Sequence, residues 1–211
     1  MPSVLGTNAL AEVAGAVTDF FEKLAGPDGT SWIAEFKKFL RKEPCWVKTA
    51  DVATSIIRLI SGGRNVAIRA TTGTRTIAQA TDVFTWGIDP DFTGWGLDVP
   101  GEAKPETPVE VHEMVKDGDF RTIFGSLGHE LDGLCLTQEQ VIAFVEDRKD
   151  WLRKEGFATF FLLKVGGKFF VASVGLDSGE RPVAFVIRFS RGFVWDGVNR
   201  PRIVVPQALE S

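Results

Sequence analysis

Apolar residues recur at spacings of three and four near the N-terminus, at Leu10, Val13, Val17, Phe20, Phe21 and Leu24. That period predicts an amphipathic helix over 8–25, capped by Thr7 or Asn8 and stopped by Gly26-Pro27. Trp32, Phe36, Phe39 and Leu40 line one face of a second helix at about 31–42, with Lys37, Lys38, Arg41 and Lys42 near its C-terminal end, where cations suit the helix dipole. A third helix is expected over roughly 52–60, capped by Asp51 and ended by Gly62-Gly63.

The pattern then changes. A short strand is expected at Val66–Ala70, followed by a turn at Thr72-Gly73. Residues 81–108 are rich in Gly, Pro and Asp and predict little regular structure. They also carry Trp86, Phe92 and Trp95, so the loop is expected to be pinned to the core by its rings. "PVEVHEMV" (108–115) alternates, with Val109, Val111, Glu113 and Val115 on one face and Glu110, His112 and Met114 on the other. A short helix is expected at about 119–127.

Thr137 and Gln140 have capping-box spacing and open a longer helix, read as 138–154, with Gly156 as its stop. From Phe157 onward the pattern predicts an antiparallel meander: strands near 157–165 and 168–175 around a Gly166-Gly167 turn, then 183–189, 192–195 and 202–205. Asp196-Gly197 is a further turn signal, and Pro206 closes the last strand. The fold class is therefore α+β: N-terminal helices packed on a mostly antiparallel sheet with a C-terminal meander. The chain is read as one domain over 1–211, in which 1–61 is a separable helical part.

Composition agrees with a packed globule. Hydrophobic residues are 44% of the 211 and charged residues 25%, far from the profile of a disordered chain. Seventeen Phe and no Tyr mean that the core rings bring no hydroxyl to satisfy. The net charge of −4 gives no general attraction to nucleic acid. It is uneven, however: 157–211 carries seven Lys and Arg against four Asp and Glu. MPSVLGTNALAEV lacks the pattern of a secretory leader, and no run approaches 18 apolar residues, so the cytoplasm is the expected compartment and no membrane span is expected.

Candidate chemistry is sparse. Cys45 and Cys135 do not form a disulfide framework, and buried free thiols are their default state. "GHELDGLCLTQEQV" (128–141) concentrates His129, Glu130, Asp132 and Cys135, but its second half already serves as a helix entrance. A metal site built from His112, His129 and Asp132, with Glu110 or Glu113, requires the 108–115 strand to meet this loop. "FGSLG" lacks the G-x-S-x-G pattern, and "SGGR" and "TTGTR" are short turns without a phosphate-loop signature. In "GIDPDFTGWG" (87–96), Asp89 and Asp91 flank Pro90, and Trp86 and Trp95 stand on either side; these four are the ligand-binding candidates. No motif calls for a cofactor.

Several strings, among them "RLISGG" (58–63), "TIAQATDVF" (76–84), "IDPDFTGWG" (88–96), "LCLTQEQVIAFVE" (134–146) and "WLRKEGFATFFLLKVGGKFFVA" (151–172), resemble a group of bacterial proteins without an assigned activity, many from reduced-genome candidate phyla. The resemblance implies a bacterial protein and supplies no catalytic residues. Three functions follow as expectations. The first is a non-catalytic binding or interaction module for a protein or small-molecule ligand. The second is a nucleic-acid-associated protein using Lys164, Lys168, Arg188, Arg191, Arg200 and Arg202 of the C-terminal sheet. The third is a metal-dependent or cysteine enzyme centred on His112 and His129.

Overall fold

The computed structural model describes residues 20–26, 29–42, 55–154 and 158–207. The chain divides into two compact units, Met1–Val52 and Ala53–Ser211. Within the first, residues 20–25 are helical and helix α1 spans Gly29–Leu40. The Phe20 ring packs on Phe36 at 4.7 Å and on Trp32 at 6.4 Å, so the expected apolar stripes do meet. The first turns of the helix expected at 8–25 lie outside the described residues.

The second unit is built on a mixed, mostly antiparallel sheet of eight strands in an α+β arrangement. The strands are β1 (Ile57–Leu59), β2 (Ala67–Ile68), β3 (Gly87–Ile88), β4 (Thr107–Met114), β5 (Thr159–Val165), β6 (Lys168–Leu176), β7 (Pro182–Arg188) and β8 (Arg202–Pro206). Their order across the sheet is β1-β4-β8-β5-β6-β7-β3, with β2 also on β4. Three helices interrupt them: the single turn α2 (Asp91–Gly94), α3 (Phe120–Gly125) and α4 (Gln138–Asp147).

The stretch expected as a third helix over 52–60 holds strand β1, antiparallel to β4 through Ile57↔Met114 and Leu59↔His112. Its polar groups find partners on a strand far along the chain, which local spacing cannot signal. The C-terminal run is a meander only through β5, β6 and β7. The chain then crosses over, and β8 inserts between β4 and β5, parallel to β5 (Phe160↔Ile203) and antiparallel to β4 (Val111↔Val204). The strand expected at 192–195 reduces to one bridge between Trp195 and Gly118.

β5 shows why both faces of the sheet are covered. All five residues Thr159–Leu163 are buried. Phe161 and Leu163 face a core formed with Val141, Phe144 and Val145 of α4, while Phe160 and Leu162 face a second core with Phe120, Ile123 and Phe124 of α3. A strand buried on both sides reads as a continuous apolar run rather than an alternation.

α4 is ten residues long, too short to be stable alone in water. Its capping box is complete: Thr137 Oγ1 accepts from Gln140 N–H at 3.2 Å, and Gln140 Oε1 accepts from Thr137 N–H at 2.9 Å. The helix ends at Asp147 rather than at 154, and a 3₁₀ turn, Lys149–Trp151, follows. Arg148 at the break turns its side chain to the Ala67 carbonyl, 3.2 Å away.

Candidate ligand-binding site

The segment 71–99 covers one face of the sheet, held by a few specific bonds. Thr71 and Lys104 exchange backbone bonds of 2.8 and 3.0 Å. Gly73 lies next to that bridge at φ +81°, where a Cβ would sit 2.4 Å from the Glu102 backbone, so only glycine fits. Gln138, at the start of α4, is buried and acts as a clamp. Its Oε1 accepts from Ile77 N–H at 3.0 Å and its Nε2 donates to the Leu97 carbonyl at 2.7 Å. Asp98 accepts from Gln79 Nε2 at 3.0 Å and from the Thr76 hydroxyl.

Asp89 and Asp91, expected as ligand-binding acids, stand in this scaffold. The Asp89 carboxylate accepts from Asp91 N–H at 3.0 Å and from Val186 N–H at 3.3 Å. It thereby opens α2 and covers the outer edge of β7. Phe92 of α2 is fully buried and so is Leu97. Trp95, between them, is half-buried in a turn whose end, Gly96, has φ +71°. Trp86 is half exposed, and its backbone N–H bonds to Pro182 O. It lines none of the hollows described below.

The other wall comes from the β5–β6 hairpin. Gly166 (φ +56°) and Gly167 (φ +74°) form its two-residue turn, with both φ positive as the tight hairpin turn requires. Lys168 begins β6 and Phe170 follows on the same face, with Arg188 of β7 directly opposite Phe170. The Arg188 guanidinium carbon lies 4.5 Å from the centre of the Trp95 ring. The Trp95 and Phe170 ring centres are 6.2 Å apart. Among the described residues, neither Lys168 nor Arg188 forms an ion pair.

Three hollows ring this end of the sheet. One of about 320 Å³ is lined by Trp95, Leu97, Val165, Lys168, Phe170 and Arg188, with the backbone of Gly94, Gly96 and Gly166. A second, of about 260 Å³, shares Lys168, Phe170 and Arg188 and adds Phe169, Phe189 and Ser190. The third, of about 460 Å³, lies beyond Val165 and Gly166 against 99–104, Asp132, Cys135 and Thr137. Its charges are paired within it, Lys104 with Glu102 at 3.4 Å and Lys164 with Asp132 at 2.6 Å.

The metal candidates are spread apart. His112 is buried on β4 with its Nε2 3.1 Å from Glu110. Burial holds its pKa below the usual histidine value, against the opposing pull of Glu110. His129 is exposed in the turn after α3, and Asp132 is paired with Lys164. No group of three or more His, Cys, Asp and Glu that could hold a metal occurs among the described residues. Burial, reinforced by Asp132, pushes the Cys135 thiol up to about 12, and its Sγ lies 3.2 Å from Leu131 O. The thiolate that nucleophilic chemistry needs is therefore scarce at neutral pH. Cys45 lies outside the described residues.

The six basic residues of the C-terminal sheet divide between its two ends. Lys168 and Arg188 meet at the Trp95 corner. Lys164 projects to the other face, over the Phe169 ring at 5.4 Å. Arg191 is exposed on the loop after β7, its N–H bonded to Arg188 O at 3.0 Å. Arg200 and Arg202 lie at the far end around buried Glu113, which Arg58 holds at 2.9 Å and Arg200 at 3.8 Å. Sequence reasoning found Trp95 and named both cations, but as members of different sites. The joining signal was strand parity, which places Lys168 and Phe170 on one face.

No helix among the described residues is long and apolar enough to cross a membrane. No protein family, no curated protein and no solved structure matches the chain.

Proposed function

We propose that the protein is a non-catalytic binding module that takes a small, ring-bearing organic anion at the Trp95–Lys168–Arg188 corner. The observation that carries the reading is the stacking of Arg188 on Trp95. Stacking uses the face of the guanidinium and leaves its in-plane N–H donors free. Among the described residues no ion pair occupies them, and Arg188, Lys168 and Phe170 line one hollow together. The site thus combines two cations with aromatic walls, a combination that fixes a small anion by charge and its ring by apolar contact. The raised Cys135 thiol and the dispersed histidines favour binding over catalysis.

The test is isothermal titration with adenosine monophosphate, indole-3-acetate and inorganic phosphate. The expected result is binding of at least one ring-bearing anion with a Kd of about 10 μM to 1 mM, and weaker binding of phosphate. Arg188→Ala should weaken it about tenfold or more, roughly 1.4 kcal/mol. Absence of binding by either ring-bearing anion at millimolar concentration, or equal binding by Arg188→Ala, would overturn the proposal.

A further inference from the structure

We infer that the first compact unit docks on the surface of a bilayer bearing anionic lipid, through an open flank of helix α1. This does not depend on the reading of the Trp95 corner. Rings hold the two helical stretches of the unit together: Phe20 packs on Trp32 and Phe36, and Phe36 stacks on Phe39 at 6.2 Å. That contact uses one side of α1 and leaves a second apolar side open. Leu40 is 65% exposed and Ile33 44%. Phe39 is 57% exposed beside its stack, and Phe21, on the preceding helical stretch, 62%. Large apolar side chains exposed this densely mark a contact surface.

The charge beside that flank selects the partner. Lys37, Lys38, Arg41 and Lys42 fall within the run KKFLRK (37–42), which holds no acid. Ile33, Lys37 and Leu40 are spaced four and three apart, so they share one side of the helix, and all three are exposed. Lys37 therefore stands within the apolar flank rather than across the helix from it. A protein groove receives an unmixed apolar helix face. A bilayer surface suits the mixture, because the Lys stem lies among apolar side chains while its ammonium reaches the lipid phosphates. Among the described residues, neither Lys37 nor Lys42 forms an ion pair, so both charges are available to headgroups.

α1 has 12 residues and is therefore about 18 Å long, well short of the hydrocarbon thickness of a bilayer. The contact it can make is along the surface. The overall charge of −4 opposes an anionic surface elsewhere on the chain, so attachment needs the apolar side chains together with the local cations. Such a combination gives weak, reversible binding, of the order of a single acyl chain.

The experiment is flotation of the full chain with vesicles of phosphatidylcholine alone and of phosphatidylcholine with about a third phosphatidylglycerol. The expected result is half-binding to the anionic vesicles at about 0.1–1 mM lipid, and at least tenfold weaker binding to the neutral ones. Two double variants separate the contributions. Lys37→Gln with Lys42→Gln removes charge, and Ile33→Gln with Leu40→Gln removes apolar surface. Each should weaken binding about tenfold or more. All four positions are exposed, so the urea midpoint should not move, and the lysine pair tests the inference without touching any packing. Equal binding to both kinds of vesicle, or none to the anionic kind at several millimolar lipid, overturns the inference. Undiminished binding by the Ile33–Leu40 variant also overturns it, since the contact is then surface charge alone. Self-association of the lipid-free chain that this variant abolishes assigns the flank to a second copy, and overturns it too.

Discussion

Gln138 is one amide side chain with three bonds. It holds Ile77 N–H, Leu97 O and, at 3.2 Å, Val99 O. All of these belong to the segment that carries Trp95. Replacing it by Leu keeps the volume and leaves the buried Ile77 N–H unsatisfied, while the Leu97 carbonyl keeps its bond from Val99 N–H at 2.7 Å. Such a group costs roughly 1–3 kcal/mol. Gln138→Leu is therefore expected to lower the chemical denaturation midpoint by a corresponding amount and to loosen the Trp95 loop, seen as faster amide exchange at Phe92–Leu97. A variant with unchanged stability would show that the clamp is not what holds the loop. At this scale the capping box of Thr137 and Gln140 was legible in the sequence, because both partners are three residues apart. The Gln138 clamp was not, since it closes across 61 residues to Ile77. Asp89 was legible as a special residue, but its second bond reaches 97 residues away to Val186, so its scaffold role was hidden.

Among elements, β5 makes the clearest claim. Phe160 and Phe161 are neighbours with opposite directions, and both are fully buried. Phe160 lies edge-on to Phe120 at 5.2 Å, and Phe161 edge-on to Phe144 at 5.5 Å. If both faces of the sheet are true cores, Phe160→Ala and Phe161→Ala should each cost about 3–5 kcal/mol in urea denaturation. A loss below about 1 kcal/mol for Phe160→Ala would mean that the α3 face is only a covering. The alternation of β4 and the Gly166-Gly167 hairpin could be read from sequence because period and turn chemistry are local. β1 was misread as a helix, and β8 as the next strand of a meander. Both errors have one cause: their register is set by strands distant in the chain, Met114 for Ile57 and Phe160 for Ile203.

At the scale of the molecule, the sheet has two chemically different ends. At one, Glu113 is paired with Arg58 and Arg200. Burial there holds the Arg202 guanidinium below its usual value, against the attraction of Glu113. At the other, Lys168 and Arg188 face open hollows without a carboxylate partner among the described residues. Neither end could be assembled from sequence, since Trp95 and Arg188 meet only through the order β5-β6-β7 and the Phe170↔Arg188 register. The central claim, that the free cations mark the binding end, is tested most directly by a ¹H–¹⁵N NMR titration of the labelled chain with adenosine monophosphate. The account predicts saturable shifts concentrated at the Trp95 indole N–H and at the amides of Gly96, Lys168, Phe170 and Arg188. Shifts gathered instead around Arg58, Glu113, Arg200 and Arg202, or none at millimolar ligand, would contradict it.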